Sequence, residues 1–323
     1  MSTTPLSQQH TTDSPTLTIT VLGCGTMGVA ILSGILASLT SSSSPAPGTG
    51  TSTPNALLPT RFHDTDESSP PVLPSRFVCC VKRPESAQRV KKAFMQYGDA
   101  VSVLTKGNVQ GAQAGDVVIL GCKPQMYQEI LGEEGMAAAL EGKLLVSILA
   151  GVKIEQLKAV VPGSTRVVRA MPNTASKIRE SMTVISTADD LPNEEKTLVS
   201  WIFSQIGKSL ILGEKHMDAC TALCGSGPAF YALFIEAMAD GGVMMGLPRA
   251  EAQMMAAQTM QGAGRLVLSG QHPAIIREQV STPAGCTIGG LLMLEDGGVR
   301  STIARAIQEA TNMAAGLGSS KKK

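Results

Sequence analysis

Residues 17–28 read Leu17-Thr18-Ile19-Thr20-Val21-Leu22-Gly23-Cys24-Gly25-Thr26-Met27-Gly28. A stretch rich in β-branched residues runs into the spacing Gly-x-Gly-x-x-Gly, and an apolar helical pattern follows it. A dinucleotide site requires this order of strand, tight turn and helix, because the helix N-terminus presents free N–H groups to a pyrophosphate. Gly23 would permit the turn, Gly25 would leave room for the phosphates, and Gly28 would let the helix pack close to the strand. We therefore predict cofactor contacts from Gly23 to Gly28. The alternative is an ordinary glycine-rich turn.

The composition of the chain argues against several classes of function. The formal net charge is +1, which gives no support for binding to nucleic acid or to a membrane surface. Hydrophobic residues make up 43% of the chain but aromatic residues only 3%, so the core must be built from Ala, Val, Leu, Ile and Met. The seven cysteines follow no metal or disulfide spacing, which predicts no metal site and suits a reducing compartment. Cys79 and Cys80 are adjacent in a predicted strand, so we expect buried thiols on opposite faces.

Neither a membrane span nor a targeting segment is evident in the sequence. No run of about 18 apolar residues is free of glycine and polar breaks. Residues 1–15 contain no Arg or Lys and lack both a signal-peptide core and a basic amphipathic helix. A cytoplasmic location is the default expectation.

Short apolar runs predict six strands in the first two thirds of the chain, with helical patterns between most of them. They are residues 17–22, 76–81, 100–104, 116–121, 144–149 and 165–170. The run at 116–121 is almost continuously apolar, which is typical of a strand covered on both faces. Strands that alternate with helices predict a Rossmann-type, doubly wound α/β sheet.

The character of the sequence changes near residue 214, after which Ala- and Met-rich segments favour helix throughout. They are residues 217–223, 228–245, 249–268, 273–279, 287–294 and 299–315. We predict an all-helical second domain whose small and apolar faces are buried in a dimer interface. The predicted organisation is a disordered tail at 1–15, the dinucleotide-binding domain at 16–213, the helical domain at 214–318 and a basic tail at 319–323. Residues 40–75, rich in Ser, Thr, Pro and Gly, are predicted to be a low-complexity insertion.

The second strand ends in Lys82 and Arg83, where an NAD-preferring site usually has an acidic residue. Two cations suit the 2′-phosphate of NADP, so we expect NADP(H) as the preferred cofactor and NAD(H) as a second option. The alternative is a solvated pair of basic residues. A rival second strand at 61–63, followed by Asp64, is too short to favour.

Other predicted cofactor contacts follow the later strands, because ligands of doubly wound sheets sit at the carboxyl ends of strands. They are Gly121, Cys122, Lys123 and Pro124 after the fourth strand, Ala150 and Gly151 after the fifth, and Met171 and Asn173 after the sixth. The small residues after the fifth strand leave room for a nicotinamide, and an Asn amide could hold a ribose or carboxamide. Lys123 is nearly as well explained as a plain loop lysine.

A hydroxyl-rich turn lies in the predicted helical domain. It comprises Ser281, Thr282, Pro283, Ala284, Gly285, Cys286 and Thr287. It runs into a helix, so free N–H groups and hydroxyls would together form a cradle for a small carboxylate. An ordinary turn with a helix cap is the equally weighted alternative.

The chain resembles the Δ1-pyrroline-5-carboxylate reductases over most of its length outside the tail and the insertion. The motifs that recur in order are Gly23–Gly28, Lys123-Pro124, Met171-Pro172-Asn173-Thr174, Gly225-Ser226-Gly227-Pro228-Ala229-Phe230, Asp240-Gly241-Gly242-Val243-Met244-Met245-Gly246-Leu247-Pro248-Arg249, and Ser281–Thr287 followed by Ile288. The last three are far more specific than the glycine fingerprint.

This resemblance implies the NAD(P)H-dependent reduction of the cyclic imine 1-pyrroline-5-carboxylate to L-proline by a homo-oligomer. It also implies that Asn108 contacts the adenosine side of the cofactor, that the turn at 281–287 grips the substrate carboxylate, and that Thr287 faces the ring nitrogen as the catalytic residue. The chain departs from the family at Ala284, where a Gly is common, and at Ala175, where a Pro is common. If position 284 requires positive φ, Ala would strain the turn.

Two other functions remain open at this stage. A β-hydroxyacid dehydrogenase or related imine reductase shares the glycine-rich start, but a hydroxyacid dehydrogenase needs a general-base lysine, and residues 217–315 contain none. A non-catalytic NADP-sensing regulator would not need the carboxylate cradle. None of the four histidines has an evident carboxylate partner in the sequence, so none is assigned to catalysis.

Overall fold

The computed structural model describes residues 16–41 and 70–317. The predicted tails at 1–15 and 319–323, and residues 42–69 of the predicted insertion, lie outside this range. The strands are β1 (Leu17–Leu22), β2 (Pro74–Val81), β3 (Val101–Thr105), β4 (Val117–Leu120), β5 (Leu144–Ser147), β6 (Arg166–Met171), β7 (Ser181–Thr187) and β8 (Gly207–Ile211). The helices up to β8 are α1 (Thr26–Ser41), α2 (Pro84–Phe94), α3 (Asn108–Ala114), α4 (Tyr127–Leu131), α5 (Met136–Leu140), α6 (Ile154–Lys158) and α7 (Asn193–Ser204). The helices after it are α8 (Met217–Cys220), α9 (Gly227–Met244), α10 (Arg249–Leu268), α11 (Pro273–Val280), α12 (Cys286–Asp296) and α13 (Val299–Leu317).

The strands form one eight-stranded sheet in the order β3-β2-β1-β4-β5-β6-β7-β8. The pairings from β3 through β6 are parallel, β7 is antiparallel to β6, and β8 is parallel to β7. The chain moves outward from β1 to β3 and then returns to place β4 on the other side of β1. This reversal confirms the predicted doubly wound fold and opens a crevice at the carboxyl ends of β1 and β4.

Strand β2 begins at Pro74, two residues before the predicted start, and this corrects the boundary of the insertion. Pro74 pairs with Leu17 across an irregularity in register. Pro is tolerated at the first residue of a strand, where its missing N–H leaves the ladder intact. Pro70 is also buried, and Thr40 and Ser41 extend α1. The ends of the stretch 40–75 therefore belong to the folded domain.

The hydrophobic pattern predicts no strand after residue 170, and β7 and β8 are therefore absent from the prediction. Strand β7 reads Ser-Met-Thr-Val-Ile-Ser-Thr, and its Ser181, Thr183 and Ser186 are buried. A strand that buries hydroxyl side chains shows neither a continuous apolar run nor an alternation of apolar and polar residues. Hydrophobic pattern alone cannot find it.

Two apolar layers cover the sheet, one on each face. One layer contains Ile31 and Ile35 of α1 and Phe203 of α7, and the other contains residues of α3 to α6. Cys79 lies in the first layer and Cys80 in the second, as the sequence predicts. A hydrogen bond with Cys24 and burial raise the pKa of Cys79, and burial raises the pKa of Cys80 to about 12. Both thiols are therefore protonated at neutral pH and are poor nucleophiles.

An ion cluster centred on a buried arginine joins the sheet to the helical half. Arg169 of β6 is 1% exposed, with Nη1 3.5 Å from Glu214 Oε1 and Nη2 3.5 Å from Asp218 Oδ1. Glu214 also accepts a hydrogen bond of 2.6 Å from the N–H of Ile154 at the start of α6. Because a buried cation is costly without partners, this cluster fixes where the helical half begins.

The helices after β8 have much exposed apolar surface. Helix α9 packs on α10, and α13 packs on α8 and on the π-helical turn Thr221–Gly225. Large side chains such as Met244, Met245 and Met293 are at least 70% exposed. In the described part of the chain, one helical stretch, Glu214–Met244, is long and apolar enough to cross a membrane by length and composition, and 17% of its most apolar 18-residue window is buried. Length and composition alone do not establish a span, and a partner surface would cover the same side chains.

Replacing residues 43–68 with a short Gly/Ser linker should leave the melting temperature (Tm) and the elution volume of the protein nearly unchanged. Their composition offers too little apolar surface to offset an ordering cost of about 1–2 kcal/mol per residue. The matched control is a longer deletion that ends at Ser75. It removes the buried Pro70 and the Pro74–Leu17 pairing, so its Tm should fall. Aggregation of the shorter deletion would contradict the expectation.

Candidate active site

The glycine-rich turn has the geometry that a dinucleotide requires. Gly23 has φ +78°, and a Cβ placed on it would lie 2.8 Å from the backbone nitrogen of Cys122. A Cβ on Gly25 would meet no atom nearer than 3.9 Å, so the space above it is open. A Cβ on Gly28 would lie 2.9 Å from Val21 Cγ1, which confirms the close packing of α1 on β1. Helix α1 begins at Thr26, so its first N–H groups face this open space. The residues present therefore fit a pyrophosphate.

Not every residue of the turn offers its side chain to a ligand. Cys24 is buried in the apolar layer beside Cys79, and Met27 packs against the same layer. The N–H groups of Gly23 and Cys24 both donate to the carbonyl of Cys80, at 3.1 and 2.9 Å. The side chains of Cys24 and Met27 therefore serve the packing of the turn, and the N–H groups of Gly23 and Cys24 hold it against the end of β2.

Lys82 and Arg83 directly follow β2, whose Cys80 carbonyl accepts the N–H groups of Gly23 and Cys24. Arg83 precedes the first turn of α2 in an extended conformation. Lys82 Nζ is 3.4 Å from Glu129 Oε1 of α4, and both side chains are 66% exposed. The cation predicted to hold a 2′-phosphate thus has a carboxylate partner that the sequence analysis did not identify.

Asn108 lies at the same corner of the sheet and also has an acidic partner. The N–H of Lys106 donates to the carbonyl of Val81 at 2.9 Å, which places the end of β3 beside the end of β2. Asn108 is the first residue of α3, and its Nδ2 donates to Glu133 Oε1 at 2.6 Å. Lys82 and Asn108 are therefore brought together, as a common adenosine site requires.

The loop after β4 contacts the glycine-rich turn. The N–H of Gly121 donates to the carbonyl of Leu22 at 2.8 Å, and Cys122 touches Gly23. Burial raises the pKa of Cys122 to about 11. Lys123 is exposed, and Pro124 begins a 3₁₀ turn that leads to α4. Helix α4 therefore continues from the loop that supports the turn.

The segments after β5 and β6 meet the start of the helical half. Ala150 packs with Met171 and Met217, and Gly151 follows with φ +76°. Asn173 Oδ1 accepts the N–H of Ala175 at 2.9 Å, while its Nδ2 donates to the carbonyl of Cys224 at 3.1 Å. Both ends of this amide bind the protein, so Asn173 positions the π-helical turn. Its contact with a cofactor stays a prediction.

The turn at 281–287 connects α11 to α12 and has a strained residue. The N–H of Gly285 donates to the carbonyl of Thr282 at 3.0 Å, with Pro283 in the second position and Ala284 at φ +59° in the third. This is the pattern of a type II turn, which favours Gly in the third position. A Cβ on Gly285 would lie 2.5 Å from Thr282 Oγ1 and 3.0 Å from the Thr282 carbonyl oxygen, so a side chain at this position would displace Thr282. The conditional expectation that Ala284 is strained is confirmed.

Ala284→Gly should therefore stabilise the protein by about 0.5–1 kcal/mol. The left-handed conformation costs a non-glycine residue about 1–2 kcal/mol. Replacement by Gly removes this cost, but part of the stabilisation is offset because Gly has more conformational freedom in the unfolded chain. The measurement is the free energy of unfolding in denaturant. Ala257→Gly in the middle of α10 is the matched control and should destabilise by about 1 kcal/mol. Equal losses for both variants would show that the turn is not strained.

The turn at 281–287 is bound to the helices next to it in the sequence. Ser281 Oγ donates to the carbonyl of Arg277 in α11 at 2.8 Å, so the start of the turn is bound to the helix before it. Helix α11 packs on α10, and α12 packs on α13. Thr287 is half-buried in the first turn of α12, while Thr282, Ala284 and Cys286 are exposed. Among residues 16–41 and 70–317, no group of three or more His, Cys, Asp or Glu could hold a metal ion.

Family models match both halves of the chain. Residues 214–317 match the model described as pyrroline-5-carboxylate reductase dimerisation. Residues 65–151 match the model described as NADP oxidoreductase coenzyme F420-dependent.

Curated relatives and solved structures extend this similarity over almost the whole length. A pyrroline-5-carboxylate reductase of Lophium arboricola is 54% identical over 94% of this chain and 93% of its own. The enzyme of that name from Schizosaccharomyces pombe is 50% identical over 92% of this chain and 98% of its own. The structure of a pyrroline-5-carboxylate reductase from Coxiella burnetii aligns with a TM-score of 0.74 at 26% identity, covering 94% of this chain and 98% of that one. That of Plasmodium falciparum pyrroline carboxylate reductase with NADP bound has a TM-score of 0.73 at 24% identity, covering 94% and 98%.

Proposed function

The chain belongs to the pyrroline-5-carboxylate reductase family, and from that premise we propose how its residues carry out the reaction. It is an NAD(P)H-dependent oxidoreductase that reduces 1-pyrroline-5-carboxylate to proline. The observation that carries this function is the 54% identity to a reductase of that name over 94% of the chain. The dehydrogenase and regulator alternatives have no comparable support.

We propose that the dinucleotide lies along the carboxyl edge of β1, β2, β4 and β5. The N–H groups at Gly25 to Gly28 would bind the pyrophosphate, where the open space above Gly25 supports the placement. Lys82, Arg83 and Asn108 would hold the adenosine end. The remaining contacts would come from the loops after β4, β5 and β6, at Gly121, Cys122, Lys123, Pro124, Ala150, Gly151, Met171 and Asn173. Two cations at the end of β2 support a preference for NADP(H) over NAD(H).

The turn at 281–287 would bind the substrate carboxylate, and Thr287 would bind the ring nitrogen. The turn precedes the N-terminus of α12, where backbone N–H groups are available to an anion. Thr287 is close to those N–H groups in sequence, so one small substrate can be gripped at both points. The hydroxyl can accept a hydrogen bond from the protonated imine or donate one to the product amine.

The reaction requires little general acid–base catalysis by protein side chains. Reduced nicotinamide, when bound, supplies the hydride that the electrophilic carbon of the protonated imine accepts. The protein's contribution is to fix the substrate ring, exclude water and stabilise the nitrogen as it changes from imine to amine. His272 Nδ1 accepts the N–H of Ala274 at 3.2 Å and caps α11, which is a structural role. This fits the absence of any histidine from the proposed mechanism.

We propose that the active enzyme is a homo-oligomer built through α9 to α13. The dimerisation model covers 214–317, which includes the exposed apolar helices and the stretch Glu214–Met244. Within one chain, the turn at 281–287 connects α11, which packs on α10, to α12, which packs on α13. A second copy would cover the apolar faces and bring a turn to the carboxyl edge of the sheet. The seven cysteines are all free, which supports a reducing compartment such as the cytoplasm.

The direct test is NADPH oxidation by the purified protein at a series of pyrroline-5-carboxylate concentrations. We expect saturable turnover with proline as the product. A protein that oxidises NADPH with a hydroxyacid-derived ketone but not with pyrroline-5-carboxylate would contradict the proposal. Light scattering on the same preparation should give a mass above that of one 33.6 kDa chain.

A further inference from the structure

Two carboxylates contact the residues proposed to hold the adenosine end of the cofactor. Glu129 of α4 pairs with Lys82, and Glu133, just after α4, accepts from Asn108. We propose that Glu129 sets the preference between NADPH and NADH by engaging Lys82, the cation proposed to hold the 2′-phosphate. This inference rests on the proposed placement of the cofactor and adds a residue that opposes the binding of its extra phosphate.

The fold holds Glu129 at this place through its neighbours. Ile130 and Leu131 are buried in the apolar layer, so the helix that carries Glu129 is anchored. The hydrogen bond between Asn108 and Glu133 ties the end of the same segment to the start of α3. The backbone of Glu129 is therefore fixed near the end of β2, while its side chain stays 66% exposed and free to turn.

The pair competes with a phosphate for the same cation. With the 2′-phosphate present, Lys82 must give up its contact with Glu129 to reach the ligand. An exposed pair of this kind is weak and is screened by salt, so the phosphate still binds but less tightly than it otherwise would. NADH has no phosphate at this position, so the same pair leaves its affinity unchanged.

The effect is partial because Arg83 does not share this partner. Among the residues that the structure describes, Arg83 forms no ion pair, whereas Lys82 pairs with Glu129. Arg83 therefore remains available to the phosphate in every state. Removing the carboxylate should tighten the binding of the phosphate without creating a new contact.

The test uses two fragments that differ only in the phosphate of interest, adenosine 2′,5′-bisphosphate and adenosine 5′-monophosphate, titrated by calorimetry into the whole enzyme. Glu129→Gln should bind the bisphosphate about two- to fivefold more tightly at low salt, as expected for a weak exposed pair, and the monophosphate as the parent does. The gain should shrink near 1 M salt, where the Debye length is about 3 Å. Glu141→Gln is the matched control, because Glu141 is exposed and precedes β5, at the amino ends of the strands and away from the carboxyl end of β2.

The Lys82→Ala background separates this inference from the proposed function. Glu129→Gln should have no effect there, because the carboxylate acts through Lys82. Three results would each overturn the inference: Glu129→Gln tightens both fragments equally, it tightens neither in the otherwise unchanged enzyme, or it tightens the bisphosphate even when Lys82 is replaced. If Lys82→Ala alone leaves the affinity for the bisphosphate unchanged, the proposed contact of Lys82 with the cofactor fails as well. If that variant loses affinity and Glu129→Gln gains none, only the role of Glu129 is rejected.

Discussion

Replacing Thr287 with valine should lower kcat/KM for pyrroline-5-carboxylate by about tenfold or more. One neutral hydrogen bond contributes about 0.5–1.5 kcal/mol net, and the contribution is larger where the bond strengthens in the transition state. The hydroxyl would bind the ring nitrogen, whose charge changes as hydride arrives, so the loss should appear in kcat. Valine keeps the branched shape of threonine and removes only the hydroxyl. The affinity for NADPH should not change.

The structure argues against the alternative that Thr287 is only a helix cap. The N-cap of α12 is Gly285, and no side chain caps this helix. A lost cap would cost about 1 kcal/mol of stability, so Thr287→Val should leave Tm almost unchanged. Thr302→Val in α13 is the matched control, because its hydroxyl donates locally to the carbonyl of Gly298, the residue before that helix. Single-turnover hydride transfer and Tm on one preparation decide the question. Full turnover in a destabilised Thr287→Val enzyme would refute the catalytic role.

The double change Lys82→Ala, Arg83→Ala should raise KM for NADPH by about tenfold or more while leaving KM for NADH nearly unchanged. Each charge-assisted hydrogen bond to a phosphate contributes about 1.5–3 kcal/mol, and we take the lower end because Lys82 is exposed. This loss opposes NADPH and does not involve NADH, which has no phosphate at that position.

Lys91→Ala, Lys92→Ala is the control for that experiment. It removes the same charge from the last turn of α2, away from the end of β2. It should alter neither KM. If the Lys82, Arg83 double variant raised both KM values equally, the pair would be a solvated strand end with only a general effect on the site.

Much of the fold follows from local pattern. The apolar run before Gly23 and the helical pattern after Gly28 are sufficient to predict β1 and α1, because each element buries residues at its own period. The predicted helix 249–268 coincides with α10, where Pro248 limits the start and Ser269 and Gly270 follow the end. Ala284 is a similar case at the scale of one residue. The sequence predicts strain at this position only if the backbone has positive φ, and the structure shows that φ is positive.

The contacts within the site are harder to predict from the sequence, because the residues that form them are far apart along the chain. Asn173 offers an amide that suits a ribose equally well, and only the packing of the π-helical turn shows that it binds Cys224. Glu129 lies in a short amphipathic helix and carries no local sign of its contact with Lys82, 47 residues away.

The class of fold, the glycine-rich turn, the helical second half and the hydroxyl-rich turn can be predicted from the chain alone, because each depends on a few neighbouring residues. Three features could not be predicted in this way: β7 and β8 extend the sheet, Arg169 joins the sheet to Glu214 and Asp218, and Glu129 pairs with Lys82. A buried hydroxyl or an ion pair is stabilised by a partner that folding brings into contact, and no periodicity in the chain indicates that partner.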